Sequence, residues 1–326
     1  MQQVGALADR LSRGRHALAL LAAALSLATA GCAGRNDLRF SAHAVIEAAP
    51  VHHAIERFGA ARPEVPNGAI PALYGPDGGI ADVAGHADTQ ALRHSLAHPD
   101  LRIILTVTEA RYRIVARRSA GIATMADLRG KRIATPPGSS AAYYLHRALG
   151  TAGMSERDVT IVPVPLPPRD AARLLVEGRA DALALWEPEP EIAIETLGED
   201  AVILDPESGY SELYNLHSTA AKLADPATRA KIVRLVAALI KGARNPDEPI
   251  SIAARITGYP ADPIRRAWPT HAFPAALSPA LLDTLVAEEG WLAANEGRPA
   301  RSREELRALI DPSIEAEARA WLRQRQ

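Results

Sequence analysis

Between residues 131 and 204 the chain alternates short β-type runs (131–134, 159–162, 182–185 and 201–204) with helical segments (140–149, 170–177 and 187–196). Alternation at this spacing dictates an α/β domain with a largely parallel sheet. Each helix opens beside Ser, Asp, Pro or Glu, which satisfy or tolerate the free N–H groups of a first turn. The same grammar occurs earlier, as a strand at 38–40, a helix at 49–58, a strand at 80–83, a helix at 89–98, a buried strand at 101–107 and an extended run at 112–116. A local echo links the two stretches. Gly79-Ile80-Ala81-Asp82-Val83-Ala84 and Gly178-Arg179-Ala180-Asp181-Ala182-Leu183 each place a glycine after a helix or turn, then a small residue and an Asp at the opening of a strand. The echo points to two lobes built alike. Beyond about Ser218 the chain turns mainly helical, at 226–243, 249–257, 279–295 and 313–323, the first of these with Ile232, Leu235, Val236, Leu239 and Ile240 on one face.

The N-terminus reads as an export signal. Arg10, Arg13 and Arg15 precede an uncharged run over 17–30, and Thr29-Ala30-Gly31 leads into Cys32, the one cysteine of the chain. That run is too short to span a bilayer, which takes about 20 residues, and it has the basic start, apolar middle and small-residue end of a secretory segment. Residues 1–31 are expected to be removed, leaving Cys32 lipidated at the new N-terminus and tethering the protein to a membrane on its periplasmic side; a plain cut near Ala30 is the alternative. Losing this segment moves the formal charge from −1 to about −3. No basic field remains for nucleic acid, and a lone cysteine allows no disulfide framework. With three Phe and four Trp, the core must come from Ala, Leu, Ile and Val, so each aromatic outside it gains weight as a site candidate.

Three stretches carry a family resemblance: Asp127-Leu128-Arg129-Gly130-Lys131-Arg132-Ile133-Ala134, then Gly138-Ser139-Ser140, then Gly178-Arg179-Ala180-Asp181-Ala182-Leu183-Ala184-Leu185-Trp186-Glu187-Pro188. In this order and spacing the chain resembles the nitrate/sulfonate/taurine-type substrate-binding proteins of ABC transporters. The resemblance implies a two-lobed type II periplasmic binding protein fold, with lobe 1 from 36–110 and 214–326 and lobe 2 from 111–213. Crossovers near 110–114 and 206–215 would let the lobes close over a solute. It further implies a monomer that needs no cofactor and delivers a small anionic or heteroaromatic solute to a permease and its ATPase. The stretch 64–79, rich in Pro and Gly, is less regular than the strand this pattern leads one to expect.

Residue by residue, Pro136-Pro137-Gly138-Ser139-Ser140 follows a strand and opens a helix, so free N–H groups, two hydroxyls and the positive end of a helix dipole converge on a spot that favours an anionic group. Ser139 or Ser140 also suits a plain helix cap, and Tyr143 lies one turn further on. Trp186 and Glu187 end a strand at the edge where open α/β sheets bind ligands. Their bland reading is core packing for Trp186 and a cap for Glu187. In lobe 1, Ser41 and His43 follow the first strand and Gly85, His86 and Thr89 follow the strand of Asp82. Thr106, Thr108 and Glu109 sit near the first crossover, and Asn215 and His217 near the return. Lone histidines and threonines are commonly structural. A metal site among His43, His52, His53, His86 and Asp88 lacks an H-x3-H pair or a cysteine ligand, so none is expected. Catalysis is the competing class, since desulfinases and pyrimidine-synthesising proteins share such folds, but no nucleophile constellation is legible. A ligand-binding sensor subunit is the third reading.

Overall fold

The computed structural model describes residues 38–63, 68–204, 206, 208–242 and 247–325; residues 1–31, expected to be a signal segment, and Cys32 lie outside the described residues. The strands are β1 (Arg39–Ala42), β2 (Arg62–Pro63), β3 (Val83–Ala87), β4 (Leu101–Ala110), β5 (Arg113–Arg117), β6 (Arg132–Thr135), β7 (Thr160–Pro163), β8 (Ala182–Leu185), β9 (Ala201–Leu204), β10 (Glu212–Thr219) and β11 (His271–Ala272). They form two sheets, ordered β11-β4-β10-β3-β1-β2 and β7-β6-β8-β5-β9. The chain passes from the first sheet to the second between β4 and β5 and returns between β9 and β10.

Each sheet is mainly parallel, as expected, with strands of the opposite direction set into it. β1 runs parallel to β2 and β3, and β6 to β7 and β8, whereas β10 is antiparallel to β3 and β4, β11 to β4, and β5 to β8 and β9. The reason is directional. β5 and β10 enter their sheets from the crossover side, so they run against neighbours whose C-terminal ends face that side. One consequence is a shared edge, where the C-terminal ends of β1, β3, β4, β6 and β8 face the N-terminal ends of β5, β10 and β11.

The far ends of the sheets repeat one device. Asp82 accepts the Arg39 backbone N–H at 2.9 Å and the guanidinium at 2.8 and 3.2 Å, and its own N–H donates to the Arg39 carbonyl at 2.9 Å. Asp181 accepts the Arg132 backbone N–H at 2.9 Å and the guanidinium at 2.7 and 3.1 Å, returning its N–H to the Arg132 carbonyl at 2.8 Å. Hydrogen bonds from Arg132 hold the Asp181 carboxyl below its ordinary range. The Gly-x-Ala-Asp echo is thus a clasp that fixes the start of one strand against its neighbour, once in each lobe.

Apolar burial follows from these sheets. One cluster joins Ile114, Val115, Leu145, Leu149, Leu183 and Leu185 around the second sheet. On the first sheet, Phe40, Val83 and Leu216 pack under the helix Pro226–Lys241, while Leu101, Ile103 and Leu213 on the other face meet Leu285, Leu292 and Leu306. Several elements depart from expectation. β3 begins at Val83, after the clasp, and runs to Ala87. The helix expected over 170–177 is confined to Arg173–Val176, with Asp170 at φ 62° before it. β10 was read only as the neighbourhood of the return, yet it is the central eight-residue strand of the first sheet, buried throughout. The irregular 64–79 stretch holds the 3-10 turns Ile70–Leu73 and Pro76–Gly78.

Candidate functional site

The facing sheet edges bring most of the expected residues to one seam between the lobes, but in different chemical states. On the second-sheet side the expected polar groups are paired. Ser139 is the N-cap of the helix Ser140–Thr151; its hydroxyl accepts the Ala142 N–H at 3.3 Å and donates to the Pro136 carbonyl at 2.7 Å. Ser140 shares a 2.9 Å hydrogen bond with the Tyr112 hydroxyl. The Gly138 carbonyl accepts from Gln90 at 3.1 Å and Arg93 at 3.2 Å, across the seam. Glu187, 2% exposed, is gripped by Arg113 at 2.6 Å and accepts the Glu191 N–H at 3.2 Å, and Arg113 continues to Glu191 at 2.8 Å. Burial pushes Glu187 up, and Arg113 opposes it.

On the first-sheet side, Thr89 donates to Glu288 at 3.0 Å, and Thr108 donates to the Glu47 carbonyl at 2.9 Å. Thr106 donates to the Asn215 side chain at 2.8 Å, which donates in turn to the Leu213 carbonyl at 2.8 Å. Register separates the expected residues. Ser41 pairs with Ala84, and Asn215 with His86, so period-two alternation puts them on the face opposite Gly85, Ala87 and Tyr214. His43 meets His86 edge to face at 4.9 Å. Burial, then His43, pushes His86 well below the usual imidazole range, and burial holds His217 at about 3. The other two histidines of the group diverge: His52 packs on Phe40, and His53 contacts Glu248 at 2.8 Å.

Asp88, weighed from sequence only as a metal ligand, accepts the N–H groups of Leu213 at 3.0 Å and Thr89 at 2.8 Å and the Tyr210 hydroxyl at 3.3 Å, and burial lifts it to about 6. Several other seam residues escaped the sequence reading. Glu47, on the turn Ile46–Ala48 after β1, and Glu212, at the head of β10, are 2% and 5% exposed. Burial, then Glu47 and Asp88, pushes Glu212 well above the carboxylate range. Five of the seven tyrosines gather here. Tyr112 lies 5.8 Å from Tyr144, 6.3 Å from Tyr210 and 6.4 Å from Trp186, while Tyr143 stands 5.0 Å from Tyr210 and 5.4 Å from Trp291. Tyr214 fills the space over Gly85, where a Cβ would fall 2.3 Å from its hydroxyl. The available signal was proximity to a crossover: Tyr112 follows β4, and Tyr210, Glu212 and Tyr214 bracket the return.

Flanking contacts hold the lobes together. Tyr259 donates to Glu189 at 2.6 Å, Arg266 to Glu191 at 2.8 Å and Glu195 at 2.6 Å, Trp291 to Glu156 at 3.2 Å, and Arg169 to the Thr257 carbonyl. A cavity of about 300 Å3 lies beside one of these latches, lined by Arg169, Glu189 and Tyr259, and another of about 190 Å3 by His53, Trp268 and Phe273. Neither is lined by the residues expected from sequence.

Comparison with known proteins agrees with this architecture. A curated Escherichia coli K12 protein named for aliphatic-sulfonate binding is 39% identical over 75 residues, 23% of this chain and 23% of that protein; the match therefore spans about a quarter of the relative's length. The alkanesulfonate-binding protein SsuA of Xanthomonas axonopodis pv. citri, bound to MOPS, aligns over 85% of this chain and 98% of its own with 25% identity and a TM-score of 0.63. The desulfurization enzyme DSZB aligns over 87% of this chain and 99% of its own, with 16% identity and a TM-score of 0.60. The fold is the two-lobed periplasmic-binding-protein fold. The NMT1/THI5-like family model matches residues 78–246, more than half of the chain, and the chain belongs to that family.

Proposed function

We propose that this chain is the solute-binding component of an ABC importer. In this reading residues 1–31 export it and lipidated Cys32 anchors it on the periplasmic side of a membrane. Lobe 1 (36–110 and 214–326) and lobe 2 (111–213) close on a small solute and present it to the permease and its ATPase. One observation carries the reading. The strand ends of both sheets meet at a single aromatic, polar seam, flanked by interlobe latches, in a fold shared with an alkanesulfonate-binding protein. Ligands of open α/β sheets sit at such edges. A binder fits this seam better than a catalyst, because the Ser139 hydroxyl is held by Pro136 and Ala142 and the Ser140 hydroxyl by Tyr112, so both are committed to structural partners. The test is a thermal-shift panel of small solutes of both charges on the full chain, followed by small-angle scattering. A solute at 100 times its Kd adds about 2.7 kcal/mol. A raised midpoint with a more compact envelope is expected, and a panel without any shift overturns the reading.

A further inference from the structure

Building on the importer reading, we propose that the seam takes a small organic cation carrying N–H donors, held by the carboxylates of Glu47 and Glu212 with its body against Tyr112, Tyr214 and Trp186. Both oxygens of Glu47, one oxygen of Glu212, the Tyr214 hydroxyl and Nε2 of His271 are buried with no hydrogen-bond partner among the described residues. Buried polar groups are almost always partnered, and exceptions mark something missing. These five atoms, out of a longer set among the described residues, share one locality. Glu212 and His271 both pair with Ala110, Tyr214 pairs with Thr108, and Thr108 donates to the backbone of Glu47. Thr108, Ala110, Ala87 and side-chain-free Gly85 form a low floor beneath the two acids and the two rings. His271 stands 3.7 Å from Glu47, beyond hydrogen-bond reach.

Charge decides the ligand's sign. Two cations near the seam are committed elsewhere, Arg113 to Glu187 and Glu191 and Arg147 to the Ser208 carbonyl and the Tyr143 hydroxyl. Asp88 is satisfied by three donors. Glu47 is left without a donor on either oxygen, Glu212 keeps one oxygen unpartnered while Tyr112 hydrogen-bonds to its carboxyl, and Tyr112 and Tyr214 both feel the charge of these acids. An anion placed here would face two buried acids that already repel one another's charge. An amidinium or ammonium supplies both the missing donors and the missing charge, through charge-assisted hydrogen bonds, and its cationic face suits aromatic walls.

The test is titration calorimetry and thermal shift on the full chain with benzamidine, agmatine and 4-aminopyridine, against benzamide as a neutral isostere and ethanesulfonate, taurine and benzoate as acid-bearing controls. At least one cation should bind, benzamide should not, and Glu47→Gln and Glu212→Gln should each weaken the cation at least tenfold while leaving the unliganded midpoint unchanged or higher. Two results overturn the proposal and differ in what they leave standing. Binding of an acid-bearing probe with undiminished affinity in both variants removes the cation assignment but keeps the importer reading. Silence from all probes, with midpoints lowered in the variants, makes the acids structural and removes both.

Discussion

The two ends of the first sheet make opposite use of carboxylates. At the end away from the seam Asp82 meets Arg39 in every way its oxygens allow, a clasp that the second sheet copies with Asp181 and Arg132. At the seam end Glu47 and Glu212 are buried more deeply and given less. Where the chain supplies all partners, the acid holds the fold together. Where it withholds them, folding has been made slightly worse in favour of something that arrives later, which is how binding sites are distinguished from scaffolds.

The sharpest way to test this contrast is on acids that share burial but differ in partners. Glu289 is buried between Arg298 at 2.6 Å and Arg301 at 2.9 Å; burial alone would raise it, but those hydrogen bonds prevail and hold it at about 2. Glu289→Gln should cost about 3 kcal/mol at neutral pH, the loss typical of a broken buried pair, as read by urea unfolding. A depressed carboxyl stabilises above its unfolded value of about 4.3, so the difference between wild type and variant should close as pH falls from there toward about 2. Asp88 has the opposite sign. Burial lifts it to about 6, so its contribution is present below about 3.9 and lost as pH rises through about 6. In Asp88→Asn, the fall in stability between those values should flatten; an unchanged slope breaks the contrast.

Gly85→Ala comes next, at about 2 kcal/mol, since the new methyl would strike the Tyr214 ring; chemical denaturation measures it, and loss of solute binding should accompany it. Asp82→Asn and Asp181→Asn should each cost about 1 kcal/mol, equal within error, because the clasps are alike and partly exposed; unequal losses would mean that the lobes are not built the same way. Glu47→Gln is the smallest effect, no loss or a slight gain in the unliganded protein.

Much of the scaffold was legible. The strands at Ala182–Leu185 and Ala201–Leu204 and the helices Ala49–Phe58 and Ser313–Arg323 lie where the sequence pattern puts them, because apolar runs between turn residues respond to local physics. β3 and β10 were not legible as drawn. Val-Ala-Gly-His-Ala resembles a turn until Tyr214 is seen to need the space above Gly85. Glu-Leu-Tyr-Asn-Leu-His-Ser-Thr resembles a solvated segment until β3 and β4 bury it from both sides. The site was legible in outline, from strand ends and the helix at Ser140, but not in its charge. Among 38 acidic residues, nothing local marks Glu47 and Glu212 as buried with oxygens left unpartnered, since that state is created by contacts distant in sequence.

Hydrogen exchange with the tightest-binding probe tests the central claim most directly. Solute held in the seam should slow exchange together around 43–48 and 210–215 in lobe 1 and around 138–143 and 186–191 in lobe 2, leaving the Arg39–Asp82 and Arg132–Asp181 clasps unchanged. Protection confined to one lobe, or to the cavity of Arg169 and Tyr259, would contradict it.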